Sequence, residues 1–127
     1  MCNNLTMSKI KSHRDLLVWQ KSMGLVEEIY KLSRTFPKEE LYGLCSQLRR
    51  SIVSVPSNIA EGHGRSSRKD YANFVATAKG SLLEAETQLL IAIHLKYVAE
   101  DSARNALNLI NEIEKMLSAL RTKLINH

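Results

Sequence analysis

The chain has 127 residues and a formal net charge of +5, with two prolines, five glycines and two cysteines. That length makes one domain, able to bury about two thirds of its unfolded surface, and so few turn formers favour long regular elements over many turns. Cys2 and Cys45 are far apart and lack metal-ligand spacing, which points to a reducing, cytosolic compartment with Cys45 in the core.

Residues 1–13 carry no apolar core of signal-peptide length and are expected to form a flexible lead-in. The first predicted helix spans about 15–35, with Leu16, Trp19, Met23, Val26 and Tyr30 at three- and four-residue steps. Phe36-Pro37 closes it, because the residue before proline is pushed out of the helical region. The second helix is placed at 38–62 on the stripe Leu41, Leu44, Cys45, Leu48, Ile52, Val55 and Ile59. Pro56 interrupts that stripe without ending it, so a kink is expected there, with Ser54, Ser57 and Asn58 recapturing freed carbonyls. Ser67, three residues before Asp70, opens the third helix in a capping-box arrangement. It runs to about Tyr97 through Tyr71, Phe74, Val75, Ala78, Leu82, Ala85 and Leu89. Its apolar run "LLIAIHLKYV" is about half a membrane span and contains His94 and Lys96, which excludes a spanning helix. The fourth starts at Asp101 or Ser102 and carries Ala106, Leu107, Ile110, Ile113, Leu117, Leu120 and Leu124. Short connections make neighbours antiparallel. The expected fold is all-α, an up-down four-helix bundle filling residues 1–127.

Helices two and three are apolar on more than one side. Ala76, Leu83, Leu90 and Tyr97 recur every seven residues, flanked by Ala72, Gly80 and Thr87. On helix two, Ser46, Val53, Ser57 and Ala60 form a strip of small side chains opposite Leu48. A helix apolar on two sides is buried on two sides. Val53, Ala76, Leu83 and Leu90 are therefore expected at an interface between copies of the chain, the alternative being a monomer with a greasy surface.

The chemistry readings narrow quickly. No glutamate has a histidine three residues later, which removes the di-iron bundle motif. "GHGRSSRKD" lacks P-loop spacing and follows a helix. Arg121 and His127 match the loose Arg-x4–6-His spacing of all-helical ribonucleases, a short pattern that chance supplies readily. His63, between two glycines, reads as an exposed turn residue, and His94 as an interface or surface residue. No catalytic residue, metal or cofactor is expected. Charge is more informative. Residues 44–79 hold six cations against two carboxylates, whereas 80–120 hold three against six. Arg65, Arg68 and Lys69 surround the start of helix three, where free amides already favour an anion, and Arg49 and Arg50 sit on the helix leading into that turn. Either this cluster grips a phosphate backbone without base specificity, or Glu61 and Asp70 occupy the same groups internally.

The same residues carry a resemblance. Ser46-Gln47-x-Arg49-Arg50, then Ser54-x-Pro56-x-Asn58-Ile59-Ala60-Glu61-Gly62, Gly64-Arg65, Ser67 and finally Gly80-Ser81-x-x-Glu84 follow a family signature. "RDLLVWQKS" also fits, including Asp15, Leu16, Trp19 and Lys21. The chain resembles the proteins encoded in intervening sequences of bacterial 23S ribosomal RNA genes, often called the S23 ribosomal protein family. The resemblance implies a four-helix bundle, commonly assembled as a homopentameric ring, and the residues themselves lead us to expect no enzyme. A distantly similar protein, the accessory protein of diversity-generating retroelements, is basic and partners a reverse transcriptase and nucleic acid. The functional expectation is thus an oligomeric bundle holding RNA or DNA backbone on a basic surface, with no membrane contact. Its alternative is a purely structural assembly module without nucleic acid.

Overall fold

A computed structural model describes residues 10–126. Within them the chain is helical throughout: α1 (Leu17–Ser33), α2 (Leu44–His63), α3 (Arg68–His94) and α4 (Glu100–Ile125), with 3-10 turns at His13–Asp15 and Lys38–Glu40. No strand occurs among the described residues. The four helices pack around one core. Its fully buried large side chains are Leu25 and Ile29 from α1, and Leu48, Ile52, Val55 and Ile59 from α2; α3 adds Val75, Leu82 and Leu89, and α4 adds Ile110, Ile113 and Leu117. The sets of α1, α2 and α4 repeat at three- and four-residue intervals, and that of α3 every seven with buried Ala78 and Ala85 between, so one stripe of each helix faces inward.

On α1 the stripe differs from the expected one. Val18, Ser22, Leu25, Ile29 and Leu32 are buried, whereas Met23 and Tyr30 are exposed at 43% and 36%. Leu16, Trp19 and Val26 lie between, packed against the core's edge. Ser22 concealed the true stripe. It is buried because its hydroxyl donates to the Val18 carbonyl at 2.7 Å, a bond within its own helix that removes the cost of placing a polar group inside.

The second helix begins six residues later than expected. Gly43 has a non-helical backbone, and the Leu44 amide donates to the Glu40 carboxylate at 3.0 Å. Leu41 therefore lies outside the helix, half exposed. From Leu44 the helix is continuous through Pro56 to His63. The Ser57 hydroxyl donates to the Val53 carbonyl, and the Asn58 amide to the Ser54 carbonyl. Half of the predicted box at α3 is present, the Asp70 amide donating to Ser67 Oγ at 3.0 Å. A reciprocal box occurs instead at Ser12 and Asp15, so the lead-in is already tied down at Ser12.

The third helix ends three residues early. Tyr97 N–H donates to the Ala92 carbonyl and Lys96 N–H to that of Ile93, with Lys96 left-handed at φ 65°. This is the closed C-terminal motif that usually takes glycine. Tyr97 consequently leaves the seven-residue strip. Its hydroxyl donates to Glu40 at 2.9 Å, and its ring lies 5.7 Å from Phe36.

Glu40 therefore ties two connections together. The Leu44 amide and then the Tyr97 hydroxyl hold its carboxyl below its ordinary value of 4.5. A carboxyl depressed on folding adds stability that is complete above the unfolded value and lost as pH falls through the folded one. Urea unfolding between about pH 5 and 3 should show that loss, and Glu40→Gln should flatten it. An acid limb identical in both proteins would remove Glu40 as its source.

Candidate nucleic-acid interface and assembly face

Helical rise separates the five cations singled out by the sequence. Arg49 and Arg50 lie in the second turn of α2, about 20 Å along the axis from the turn that carries Arg65, Arg68 and Lys69. They form two groups.

The partners of these cations differ more than their positions do. Arg65 donates to the Glu61 carboxylate at 2.9 Å and stacks on Phe74, its guanidinium 4.6 Å from the ring centre. A carboxylate neutralises it. Arg68 reaches the far end of α4, donating to the Lys123 and Leu124 carbonyls at 2.9 and 3.3 Å. It sits where a helix C-terminus favours a cation, and joins the first turn of α3 to the last of α4. Arg49 donates to the Ser33 hydroxyl at 2.8 Å and lies 4.6 Å over the Tyr30 ring. Its partners are neutral, so its charge stays uncompensated. Arg50 and Lys69 are exposed and take no part in an ion pair among the described residues.

The turn itself is shaped by close packing. A methyl group at Gly62 would stand 2.7 Å from Phe74 Cβ and 3.1 Å from the Tyr71 ring, so glycine lets α2 and α3 meet. His63 is not an exposed turn residue. It is the last residue of α2, half buried, with its ring edge-on to Tyr71 at 5.8 Å. Cys2 and the His127 end of the Arg121 pair lie outside the described residues. Among the described residues no group of three His, Cys, Asp or Glu side chains is placed to hold a metal.

The residues that the sequence places at an interface between copies lie on the outward sides of α2 and α3. Val53, Leu83 and Leu90 are 40%, 42% and 47% exposed, and Ala76 is half buried. Between the two helices runs a polar groove of about 300 Å³, lined by Gln47, Arg50, Ser54, Ser81 and Glu84. The Ser54 and Ser81 hydroxyls meet across its floor at 2.9 Å. Gln88 also lines it, nearly buried, with an Oε1 that has no hydrogen-bond partner. The groove unites the two ends of the sequence signature, which stand about thirty residues apart in the chain. Gln88 was missed. It follows the apolar core positions at helical spacing and reads as one polar member of a buried stripe.

A family model, 23S rRNA-intervening sequence protein, matches residues 14–119. The chain belongs to that family. A crystal structure from Bacteroides thetaiotaomicron VPI-5482, of a protein with unknown function from the S23 ribosomal protein family, is also similar. The two share 25% sequence identity with a TM-score of 0.77, over 83% of this chain and 98% of that one. No curated protein matches. The match spans all four helices, stopping within the last turns of α4. No helix among the described residues is long and apolar enough to cross a membrane.

Proposed function

We propose that this protein is a non-enzymatic bundle that assembles with copies of itself through the outward faces of α2 and α3, and that the assembly holds nucleic-acid backbone. One observation carries the reading. Along the solvent side of α3, the exposed residues between Asn73 and His94 include Thr77, Gly80, Leu83, Thr87, Leu90 and Ile91, with Glu84 the one charged member. A helix face exposed over some six turns usually carries charge at most steps. A second copy is the favoured cover because the surface complements itself. Arg50 and Glu84 stand on opposite walls of one groove without pairing, so a neighbour can offer each the opposite sign. A ring of five, as the family resemblance implies, would repeat the uncompensated cations of each chain around its axis. Weak backbone contacts would then add through multivalency.

Sedimentation at micromolar concentration tests the assembly. The parent should run at several times the 14.4 kDa of one chain, a ring giving five times. Leu83→Glu places a carboxylate in the strip and should shift the population toward 14.4 kDa. Its helix content should not change, because Leu83 points outward. A parent that sediments as one chain overturns the reading.

A further inference from the structure

Two adjoining depressions, of about 540 and 350 Å³, lie between α1 and α2, and a third, of about 500 Å³, adjoins them along the outer side of α1; together they make one furrow. They share Tyr30, Arg34, Leu41, Cys45 and Arg49 along their borders. Five cations line the furrow (Lys31, Arg34, Lys38, Arg49 and Arg50) against one carboxylate, Glu27. None of the five is in an ion pair among the described residues. The nearby Glu40 is bound to Leu44 and Tyr97, which leaves the Lys38–Glu40 turn with Glu39 as its one free carboxylate.

Two aromatic rings stand among these charges. Tyr30 is over a third exposed and already carries the Arg49 guanidinium on one face. Tyr42 is 93% exposed, projecting from the corner that precedes α2. A soluble bundle gains nothing in folding from an aromatic ring almost wholly in water. Rings interleaved with cations along a groove are the arrangement that holds single strands: the cations follow the phosphates, and unpaired bases stack on the rings. Paired bases in a duplex keep their faces against one another, so a ring at the rim of a furrow has nothing to stack on.

We propose that the α1–α2 furrow binds single-stranded nucleic acid, with Lys31, Arg34, Lys38 and Arg49 along its backbone and a base stacked on Tyr42, Arg50 being left to the interface between copies. This rests on the backbone-binding reading above and places the contact on α1 and α2 instead of at the turn before α3. RNA and DNA strands share the phosphates and base faces invoked, so the test carries both.

The experiment is fluorescence anisotropy with labelled mixed-sequence oligonucleotides, as single-stranded RNA, single-stranded DNA and duplex DNA, over a range of salt. The parent should bind single strands more tightly than the duplex. Tyr42→Ala should weaken single-strand binding about tenfold, the size expected for one lost stack, and leave duplex binding unchanged. Tyr42 packs on nothing the core needs, so an unchanged circular dichroism spectrum should accompany that loss. Arg34→Ala with Lys38→Ala should flatten the salt slope by about 1.4, two phosphates at roughly 0.7 each. If the parent binds but all these variants match it, and Lys69→Ala weakens binding instead, the furrow proposal falls while the backbone-binding reading stands. Equal affinity for single strand and duplex, with no effect of Tyr42→Ala, also overturns it. Absence of any binding near physiological salt removes both.

Discussion

Gly62→Ala is expected to lower the free energy of unfolding by about 1–3 kcal/mol, the usual cost of overpacking a close contact. The new methyl group would meet Phe74 Cβ at 2.7 Å and the Tyr71 ring at 3.1 Å. The nearer atom is anchored to the α3 backbone and cannot swing aside, so the end of α2 and the start of α3 must part. Alanine's higher helix propensity offsets at most about 1 kcal/mol of this. Gly80 supplies the control. It lies in the middle of α3, where a methyl group meets nothing within 4 Å. Gly80→Ala should raise stability by about 0.5–1 kcal/mol in the dissociated chain. Urea unfolding of both variants reads the difference in sign. Stabilisation by both would show that the helices separate without cost and that Gly62 does not set their approach.

Ile29→Ala is expected to cost about 2–4 kcal/mol, as deletions of fully buried aliphatic groups do. Met23→Ala should cost under about 1 kcal/mol. The pair tests the register of α1 directly. Ile29 is fully buried, while Met23 is 43% exposed, although spacing alone puts Met23 on the inner stripe. The same rotation puts Tyr30 outside, beside Arg49, where it lines the furrow. A larger loss at Met23 than at Ile29 would return α1 to the register read from the sequence and take Tyr30 out of the proposed binding surface.

Within the sequence, α2, α3 and α4 were legible because their inner stripes are long and unbroken. Leu48, Ile52, Val55 and Ile59 recur at helical spacing, and so do Ile110, Ile113 and Leu117. The family signature was legible for the same reason: it is local, and local pattern is what a sequence displays. Element ends were less so. The stop after His94 depends on Lys96 taking a left-handed conformation that only glycine or asparagine would have advertised. The start at Leu44 depends on a Glu40 side chain held partly by Tyr97, a residue of a distant connection.

The candidate surfaces divide along the same line. The sequence by itself determined the charge, the helical class, the family and the uncharged outer strip of α3, since each follows from residue types at short spacing. Only the tertiary structure decided which cations remain uncompensated. Arg65 and Glu61 are four residues apart and could have been paired on paper. That Arg68 ends on the carbonyls of Lys123 and Leu124, and Arg49 on Ser33, is a matter of helix packing. Packing likewise set the depressions that hold Lys31, Arg34 and Lys38 beside the one that holds Tyr42 and Arg49. Spacing along a chain reports which face of a helix a residue occupies, but electrostatic partners are chosen by distance in space, and that is set only when the faces meet.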